Sequence, residues 1–276
     1  MPRPKVAILA IGNELLRGDV ENSNMHWLCQ RFTARAALVV HGAIVRDEVE
    51  HISRELHHAL SYHPKLILTT GGLGPTADDL TLRGVARATK DPLEPNPEAI
   101  ALVTERYSEL EREGAVASAE LTPSRRKMGV LPRSAVPLEN HVGAAPGVAL
   151  PWEGLTLVCL PGVPAELYHI FNGSLAPILD RVIGTGVQRE ITRYADTSDE
   201  SRLAAALEMA ATHHPDVYLK SHATSFQRGG KFRITLSTIA GDEREADALL
   251  RSAELELTDA LRSARIRLSK GRAYGG

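Results

Sequence analysis

The sequence predicts an α/β fold, in which a three-layer α/β/α domain with a mostly parallel sheet is followed by a small α+β domain. Four short apolar runs each end in turn-forming residues, and most are followed by residues with helical periodicity. Continuous apolar runs are typical of parallel strands that helices bury on both faces. After Val187 the apolar residues alternate instead, as in half-exposed strands, which indicates a second and smaller unit.

The elements of the large domain follow from these patterns in chain order. The apolar runs predict strands at Lys5–Ile11, Ala36–Val45, Leu66–Thr70 and Leu155–Leu160. The intervening segments predict helices at Asn22–Phe32, Glu48–Tyr62, Leu80–Thr89 and Asn96–Glu113. Strands and helices therefore alternate, as expected for a sheet covered on both sides.

The small domain has the predicted order strand, helix, strand, strand, helix. These elements are expected at Arg189–Ala195, Glu200–Ala211, Asp216–Ser221, Phe232–Ile239 and Glu243–Leu261, with a turn at Gln227-Arg228-Gly229-Gly230. We place the boundary near Gly184-Thr185-Gly186, so that residues 1–184 form the large domain, 185–268 the small domain and 269–276 a flexible tail.

The composition excludes several classes of partner. The 276 residues include 32 basic and 34 acidic side chains, and this net charge of −2 creates no field that would attract nucleic acid. The small domain also lacks the G-x-x-G clamp of KH-type RNA-binding folds, so we expect no RNA binding. No apolar run approaches the ~20 residues that span a bilayer, and the N-terminus turns polar at Gly12-Asn13-Glu14 too early for a signal peptide. We therefore expect a cytoplasmic protein without a membrane partner.

The stretch ILTTGGLGPTADDLT, residues 67–81, carries the clearest functional signal. Gly71, Gly72 and Gly74 let the backbone approach a ligand closely, and unpaired amides beside a helix N-terminus suit phosphate. Asp78 and Asp79 would repel a phosphate unless a cation lay between them, which suggests a hard divalent metal. The same letters also fit a capping box from Thr76 to Asp79, and the pattern alone leaves both interpretations open.

Similar small-residue turns follow other strands. They are Gly12-Asn13-Glu14, Asn140–Gly147 and Leu160–Glu166, and Asn22 and Asn24 lie at the start of the next predicted helix. Each alone is better explained as a tight turn or an N-cap, but several at strand ends are harder to explain as scaffolding.

Charged and metal-ligating residues elsewhere give weaker signals. Asp47 follows the second strand, where a helix N-cap is favoured over a third carboxylate at the site. Lys127 either faces a phosphate or belongs, with Arg125 and Arg126, to a solvated face. Adjacent histidines such as His57-His58 diverge on a helix, so we expect no histidine metal site.

Taken together, the quoted motifs are similar to those of a known family. GNELLRG, NSN, TTGGLGPTADDLT, NHVGAAPG and LPGVPAE occur in this order and at family-like spacing. They resemble the CinA-like family (competence/damage-inducible protein A) and, more broadly, the MoaB/Mog molybdopterin-binding domain, closely over residues 5–180. The chain ends before the C-terminal nicotinamide mononucleotide deamidase domain of full-length CinA proteins could fit, so we expect no deamidase activity.

The resemblance implies a chemistry at a phosphoanhydride. In the molybdopterin branch the related loop helps to bind the pterin phosphate, and the aspartate that matches Asp79 supports Mg²⁺-dependent adenylyl transfer. CinA-like members are associated instead with metal-dependent hydrolysis of compounds such as ADP-ribose. We therefore expect a pyrophosphatase acting on a nucleoside diphosphate derivative. A molybdopterin-binding, adenylyl-transferring protein and a non-catalytic nucleotide-binding regulator stay as alternatives.

This interpretation assigns a role to each candidate residue. Asp78 and Asp79 would hold Mg²⁺, Mn²⁺ or Co²⁺, with K⁺ open as a further cofactor. Glu14 is the candidate general base, and the remaining substrate-binding candidates are Gly12, Asn13, Asn24, Gly71, Gly72, Gly74, Thr76, Lys127, Gly147 and Gly162. Since relatives tend to self-associate, we also expect a homo-oligomer, either a dimer or a trimer.

Overall fold

The computed structural model describes residues 3–197, 199–223 and 232–270. The chain divides into two compact units. The first comprises the residues up to Thr33 and those from Ala37 to Gly184, and the second comprises Ala34–Ala36 and the chain from Thr185 onward. The predicted turn at residues 227–230 lies outside the described residues.

The first unit is built around one six-stranded sheet. In chain order its elements are β1 (Lys5–Ile11), α1 (Asn13–Arg17), α2 (Ser23–Ala34), β2 (Leu38–Val45), α3 (Val49–Leu60), β3 (Leu66–Thr70), α4 (Thr81–Thr89), β4 (Leu93–Pro95), α5 (Pro97–Arg112), α6 (Pro123–Lys127), β5 (Val130–Pro132), β6 (Val136–Leu138), β7 (Gly147–Trp152), β8 (Leu155–Leu160), α7 (Pro164–Asn172) and α8 (Ala176–Ile183). The strand order is β2-β1-β3-β8-β7-β6. Strands β2, β1, β3 and β8 are parallel, whereas β7 and β6 pair antiparallel. The predicted mostly parallel sheet is confirmed.

Helices cover both faces of this sheet because side chains alternate along each buried strand. Ala7 and Leu9 of β1 pack in one layer with α3, α4 and α5, whereas Val6 and Ile8 pack in the other with α2, α7 and α8. All four are fully buried. The three-layer α/β/α arrangement expected from the continuous apolar runs is therefore confirmed.

Several element boundaries differ from the sequence prediction. The second strand begins at Leu38 rather than at Ala36, because Ala36 has a φ of 59° and cannot continue an extended strand. The fourth predicted helix loses one residue at each end, with Asn96 capping it through the Ala99 N–H. No bounds were predicted from the sequence for β4, β5, β6 and β7, nor for α1, α6, α7 and α8.

The second unit packs two helices on one antiparallel sheet. Its elements are β9 (Val187–Ala195), α9 (Glu200–His213), β10 (Val217–Ala223), β11 (Phe232–Ala240), α10 (Glu243–Ser263) and β12 (Leu268–Ser269). The sheet order is β10-β11-β9-β12, and the core joins apolar residues of α9 and α10 to those of the sheet. Ser269, which was assigned to the flexible tail, ends β12 and pairs with Tyr194. Among the described residues, no helix is both long and apolar enough to cross a bilayer.

Candidate functional site

The predicted strand-end turns of the first unit meet at one edge of the sheet. In the parallel register, Ala10 of β1 pairs with Thr70 of β3, and Thr70 pairs with Leu160 of β8. The three strands therefore end side by side, and their following turns line a cavity of about 420 Å³. This is the carboxyl edge, where open α/β sheets bind ligands.

Five carboxylates line this cavity, which we call the acidic cavity. They are Glu14, Asp47, Asp78, Asp79 and Glu166. Only Glu14, Asp78 and Asp79 were predicted as site residues. Five acidic groups around one cavity disfavour an anionic ligand by itself and favour a ligand that arrives with a cation.

Asp47 belongs to the site, whereas the sequence favoured a role as N-cap of the following helix. That prediction is wrong, because Glu48 is the N-cap residue of α3. Oδ1 of Asp47 instead accepts a hydrogen bond of 3.0 Å from the N–H of Leu80, the N-cap residue of α4. Burial raises the pKa of Asp47 to about 6, with the nearby Asp79 and Asp78 adding to the rise. A pKa of about 6 suits Asp47 to exchange protons near neutral pH.

The glycines of the predicted loop are required by its close packing. Gly71 has a φ of 105°, and a Cβ there would lie 2.1 Å from the carbonyl oxygen of Ile11. Gly72 has a φ of 67°, and a Cβ there would meet the Thr81 hydroxyl at 2.3 Å. That hydroxyl donates to the Gly71 carbonyl at 2.7 Å, which ties the loop to the start of α4. Larger residues are excluded from both positions.

The backbone amides of this loop are only partly available to a ligand. The Gly71 N–H donates to the Leu160 carbonyl at 3.0 Å, which corrects the expectation that it is unpaired. Within the part of the chain that the structure describes, nothing accepts a hydrogen bond from the amides of Gly72, Leu73 or Gly74. These three consecutive donors lie in the wall of the acidic cavity, so they are the amides that suit a phosphate.

Thr76 and the two aspartates form a closed turn rather than the first turn of a helix. The Thr76 N–H donates to Oδ2 of Asp79 at 2.9 Å, as in a capping box, but α4 begins only at Thr81. The Thr76 hydroxyl lies 2.5 Å from Oδ1 of Asp78 and 2.5 Å from Oδ2 of Asp79. This contact lowers the pKa of Asp78. Thr76 therefore holds the carboxylates together, and it is not one of the residues that line the cavity.

Lys127 supports the glycine loop from the side opposite to the acidic cavity. Its ammonium group donates to the carbonyls of Gly74 at 3.1 Å and Asp79 at 2.8 Å, and also to that of Thr76. An ammonium group has three protons, and each has a carbonyl acceptor here. The predicted contact between Lys127 and a phosphate would require these bonds to break, so the structure gives Lys127 a role in holding the loop.

A second loop, Asn140–Pro146, brings Glu166 into the acidic cavity. The Asn140 side chain donates to Oε2 of Glu166 at 2.6 Å and to the Ala145 carbonyl at 2.8 Å. A Cβ at Gly143 would lie 2.0 Å from the Glu166 carboxylate, so this glycine lets the loop cover it. Burial raises the pKa of Glu166. Glu166 had no predicted role, although it follows a strand-end turn in the sequence just as Glu14 does.

The remaining predicted residues take different positions. The Asn24 side chain is 8% exposed, and it donates to Thr70 Oγ1 at 3.1 Å and to the Gly162 carbonyl at 2.7 Å. Asn24 of α2 therefore links the end of β3 to the turn that follows β8. Gly12 and Gly162 line the acidic cavity, whereas Asn13 begins α1 outside the cavity lining. Gly147 begins β7 in the core, where the side chains of Leu138, Leu160 and Ile170 fill the space beside its Cα.

A second cavity, of about 330 Å³, adjoins the glycine loop on its other side. It shares Gly72, Leu73, Gly74 and Asp79 with the acidic cavity. Its other walls combine apolar side chains with basic ones, namely Leu82, Leu93, Pro123, Val130, Arg83, Arg126 and Lys127. We call it the basic cavity. The glycine loop therefore lies between the acidic cavity and the basic cavity.

The donor set of the acidic cavity fits a hard divalent cation. Asp78 and Asp79 present carboxylate oxygens, and Mg²⁺ is commonly held by one or two carboxylates together with waters and substrate phosphates. Among the described residues, no three carboxylates of this cavity bring oxygens within 4.8 Å of one another. The pair is therefore suited to a cation that a phosphate helps to bind, rather than to a cation enclosed by protein ligands alone.

With this geometry, the chain can be compared with known proteins. The sequence profile of a probable molybdopterin-binding domain matches residues 7–181. The chain therefore belongs to the family of probable molybdopterin-binding domains. The solved structure of a CinA protein of unknown function from Thermoplasma acidophilum is 32% identical, covers 63% of this chain and 98% of that chain, and superposes with a TM-score of 0.57. The resemblance to CinA-like proteins is thus confirmed.

Archaeal relatives match over most of their length. A protein from Aeropyrum pernix is 37% identical over 249 residues, which are 89% of this chain and 90% of the relative. A protein from Pyrococcus horikoshii is 36% identical over 201 residues, which are 73% of this chain and 77% of the relative. The first of these alignments is long enough to include both units of the present fold.

Proposed function

We propose that the first unit binds a phosphorylated pterin of the molybdopterin class and transfers an adenylyl group to it. The observation that carries this proposal is that three consecutive loop amides, those of Gly72–Gly74, have no acceptor among the described residues and share one cavity wall with the Asp78 and Asp79 carboxylates. Amides alone would suit a phosphate, and carboxylates alone would repel it, so their combination supports a metal-assisted phosphate site. Membership of the molybdopterin-binding family supports the pterin as ligand.

In this reaction a phosphate oxygen of the pterin attacks the α-phosphorus of ATP, the α–β phosphoanhydride bond breaks, and pyrophosphate leaves. A divalent cation held by Asp78 and Asp79 would neutralise phosphate charge and polarise the reacting phosphoryl group. The amides of Gly72, Leu73 and Gly74 would hold the phosphate oxygens in place. Lys127 and Thr76 keep these donors in position through the loop contacts described above.

The two cavities together provide room for a ligand with an anionic part and a flat ring. Their volumes of about 420 and 330 Å³ each fall within the range of small-molecule sites, roughly 300–1,000 Å³. The apolar walls of the basic cavity suit a ring system, and Arg83 and Arg126 suit a second anionic group. A ligand that extends past the glycine loop could thus place its metal-bound phosphate in the acidic cavity and its ring in the basic cavity.

Hydrolysis of a nucleoside diphosphate derivative such as ADP-ribose is the second candidate function, and Asp47 favours it. A water molecule must lose a proton to attack a phosphoanhydride, whereas a pterin phosphate is already ionised. With a pKa of about 6, Asp47 accepts such a proton near neutral pH. Glu14 is the base expected from the sequence, and Asp47 joins it as a candidate because burial raises the pKa of Asp47 towards neutrality.

The experiment that tests both functions compares substrates and one variant. Purified full-length protein is incubated with ATP plus molybdopterin, and separately with ADP-ribose or FAD, across Mg²⁺, Mn²⁺ and Co²⁺. Release of pyrophosphate that requires both ATP and molybdopterin supports adenylyl transfer. Release of AMP from ADP-ribose or FAD supports hydrolysis instead. Asp79→Ala should abolish either activity, whereas Asp259→Ala, an exposed aspartate of α10, is the matched control.

A third outcome would overturn both candidates. Tight nucleotide or pterin binding, unaffected by metal and followed by no turnover of any substrate, would favour the non-catalytic regulator instead. Full activity in Asp79→Ala would equally exclude the metal-assisted mechanism built on this loop.

A further inference from the structure

We infer that the first unit carries a second metal site, for Zn²⁺, formed by His41, Glu55 and His58. Each of these residues offers one ligand atom, and the three atoms lie within 4.8 Å of one another. In the described parts of the chain no other group of three histidine, cysteine or acidic residues meets this condition. The cluster lies on β2 and α3, and none of its members lines the acidic or the basic cavity.

A β-bulge in β2 places His41 on the face of the sheet that α3 covers. The register between β1 and β2 pairs Val6 with Val39 and Ala7 with His41, so Val40 is the extra residue. Val39 packs in the layer of α2, whereas Ala43, two residues after His41, packs in the layer of α3. Because of the extra residue, His41 lies on the face opposite to that of Val39, and bulges commonly redirect a side chain in this way.

The helix contributes two ligands from one side. Glu55 and His58 are three residues apart on α3, so their side chains are neighbours on the helix surface. Oε1 of Glu55 lies 2.7 Å from Nε2 of His41, and the two side chains are 25% and 14% exposed. Tyr62 stacks on the His41 ring, with a centroid distance of 4.8 Å and an interplanar angle of 14°. These contacts orient His41 before any metal arrives.

The sequence analysis missed this site because it considered the adjacent histidines on their own helix. His57 does diverge, since its Nδ1–H donates to the Ser53 carbonyl at 2.8 Å and its ring meets the edge of Trp152. His58 instead lies beside His41 of β2, and a contact between residues 17 positions apart in different elements is not visible in the sequence.

The chemical types of the three ligand atoms favour Zn²⁺ over other divalent metals. Two imidazole nitrogens and one carboxylate oxygen suit Zn²⁺, whereas Mg²⁺ and Ca²⁺ prefer oxygen ligands. In a tetrahedral zinc site with bonds of about 2.0–2.2 Å, ligand atoms are roughly 3.3–3.5 Å apart. Nε2 of His41 and Oε1 of Glu55, now 2.7 Å apart, would separate to this distance and exchange their hydrogen bond for bonds to the ion. The exposed His58 side chain would rotate to complete the set, and solvent would fill the fourth position. The ion would tie the edge strand β2 to α3 and stabilise the first unit by mass action.

The test measures Zn²⁺ bound by full-length protein that has been freed of metal with a chelator. All variants carry Asp79→Ala, so that the acidic cavity does not contribute. We expect one Zn²⁺ per chain at this site, a rise in the thermal midpoint on adding Zn²⁺, and visible d–d absorption with Co²⁺. His41→Gln and His58→Gln should each weaken Zn²⁺ binding at least tenfold and remove the stabilisation. His57→Gln is the matched control and should bind Zn²⁺ as before.

Equal stoichiometry and affinity in His41→Gln and the parent protein would overturn the inference, as would binding lost equally in the His57→Gln control. Circular dichroism shows whether each variant is folded. If a variant fails to fold, anomalous scattering at the zinc edge from crystals of the unsubstituted protein grown with Zn²⁺ decides the matter. A peak between β2 and α3 supports the site, and a peak only in the acidic cavity or elsewhere on the chain excludes it.

Discussion

The two loops that line the acidic cavity are held by different kinds of contact. The partly buried ammonium group of Lys127 fixes the Gly71–Asp79 loop by donating to its carbonyls. A neutral amide fixes the Asn140–Pro146 loop, because Asn140 both donates to Glu166 and accepts from the N–H groups of Val142 and Gly143.

The two loops also differ in what surrounds their glycines. A Cβ at Gly71 would meet backbone, which cannot move aside, whereas a Cβ at Gly143 would meet the flexible Glu166 side chain. The first loop is therefore rigid in its backbone, and the second depends on one carboxylate staying in place. Substitutions should affect overall stability most in the first loop and the position of a carboxylate most in the second.

The strongest test of this difference is Gly71→Ala. We expect a loss of about 3 kcal/mol in the free energy of unfolding, since the new Cβ must displace the Ile11 carbonyl at a φ of 105°. Gly154 is the matched control, because it has a φ of 77° but open space around its Cα. Gly154→Ala should lose only about 1 kcal/mol. Chemical denaturation measures both, and equal losses would show that steric contact does not matter at Gly71.

The next largest effect is expected from Lys127→Met. Loss of three charge-assisted hydrogen bonds leaves loop carbonyls unpaired and should lower the free energy of unfolding by about 2 kcal/mol. Arg126→Met, one residue earlier on the same helix and exposed, should change it by less than about 0.5 kcal/mol. Hydrogen exchange of the 71–79 segment should accelerate in Lys127→Met only. Unchanged exchange there would contradict a role in holding the loop.

Asn140→Asp tests the second loop with a smaller change. It replaces a donor by a carboxylate 2.6 Å from Glu166, so repulsion should lower the free energy of unfolding by about 1.5 kcal/mol at pH 7. The loss should shrink in acid, where the carboxyl groups are protonated. Asn22→Asp is the control, because Asn22 accepts from the Met25 N–H and an aspartate caps equally well. A loss that does not vary with pH would argue against repulsion as its cause.

Asp47→Asn should give the smallest effect, and it should stabilise the protein. The pKa of Asp47 rises from 3.8 to about 6 on folding, so its ionised form disfavours the folded state. The wild-type free energy of unfolding should therefore fall, relative to the variant, as the pH rises from about 4 to 6. Because Asp47 is half-exposed, we expect the variant to gain only about 1 kcal/mol at pH 7.

The same comparison at about pH 3 provides the internal control, since Asp47 is then mostly protonated in both the folded and the unfolded protein, and wild type and variant should be nearly equally stable. Exposed Asp259→Asn should change stability by less than about 0.5 kcal/mol at both pH values. Equal stability of wild type and Asp47→Asn at pH 7 would show that the cavity solvates this carboxylate well.

Much of the fold was predictable because its central strands are apolar throughout. The bounds predicted for β1, β3 and β8 agree with the structure residue for residue. Strands β6 and β7 were missed because each contains a proline, Pro137 or Pro151, and short runs with proline do not have the pattern of a buried parallel strand.

The site was predictable only in part. Glycines and adjacent aspartates mark residues 71–79 in any sequence, because few other residue types adopt such a turn. Asp47, Glu166 and the roles of Lys127 had no comparable local signal, since each depends on a partner more than 25 residues away.

The sequence by itself thus determined the buried central strands β1, β3 and β8, the turns that follow them, and which loop combines glycines with two adjacent aspartates. These properties depend on local composition and on the spacing of apolar residues. The tertiary structure alone decided that Asp47 and Glu166 complete the acidic cavity, that Lys127 holds the loop, and that His41 meets Glu55 and His58. Each of these depends on strand register and on contacts between distant segments, which neighbouring residues in a chain do not encode.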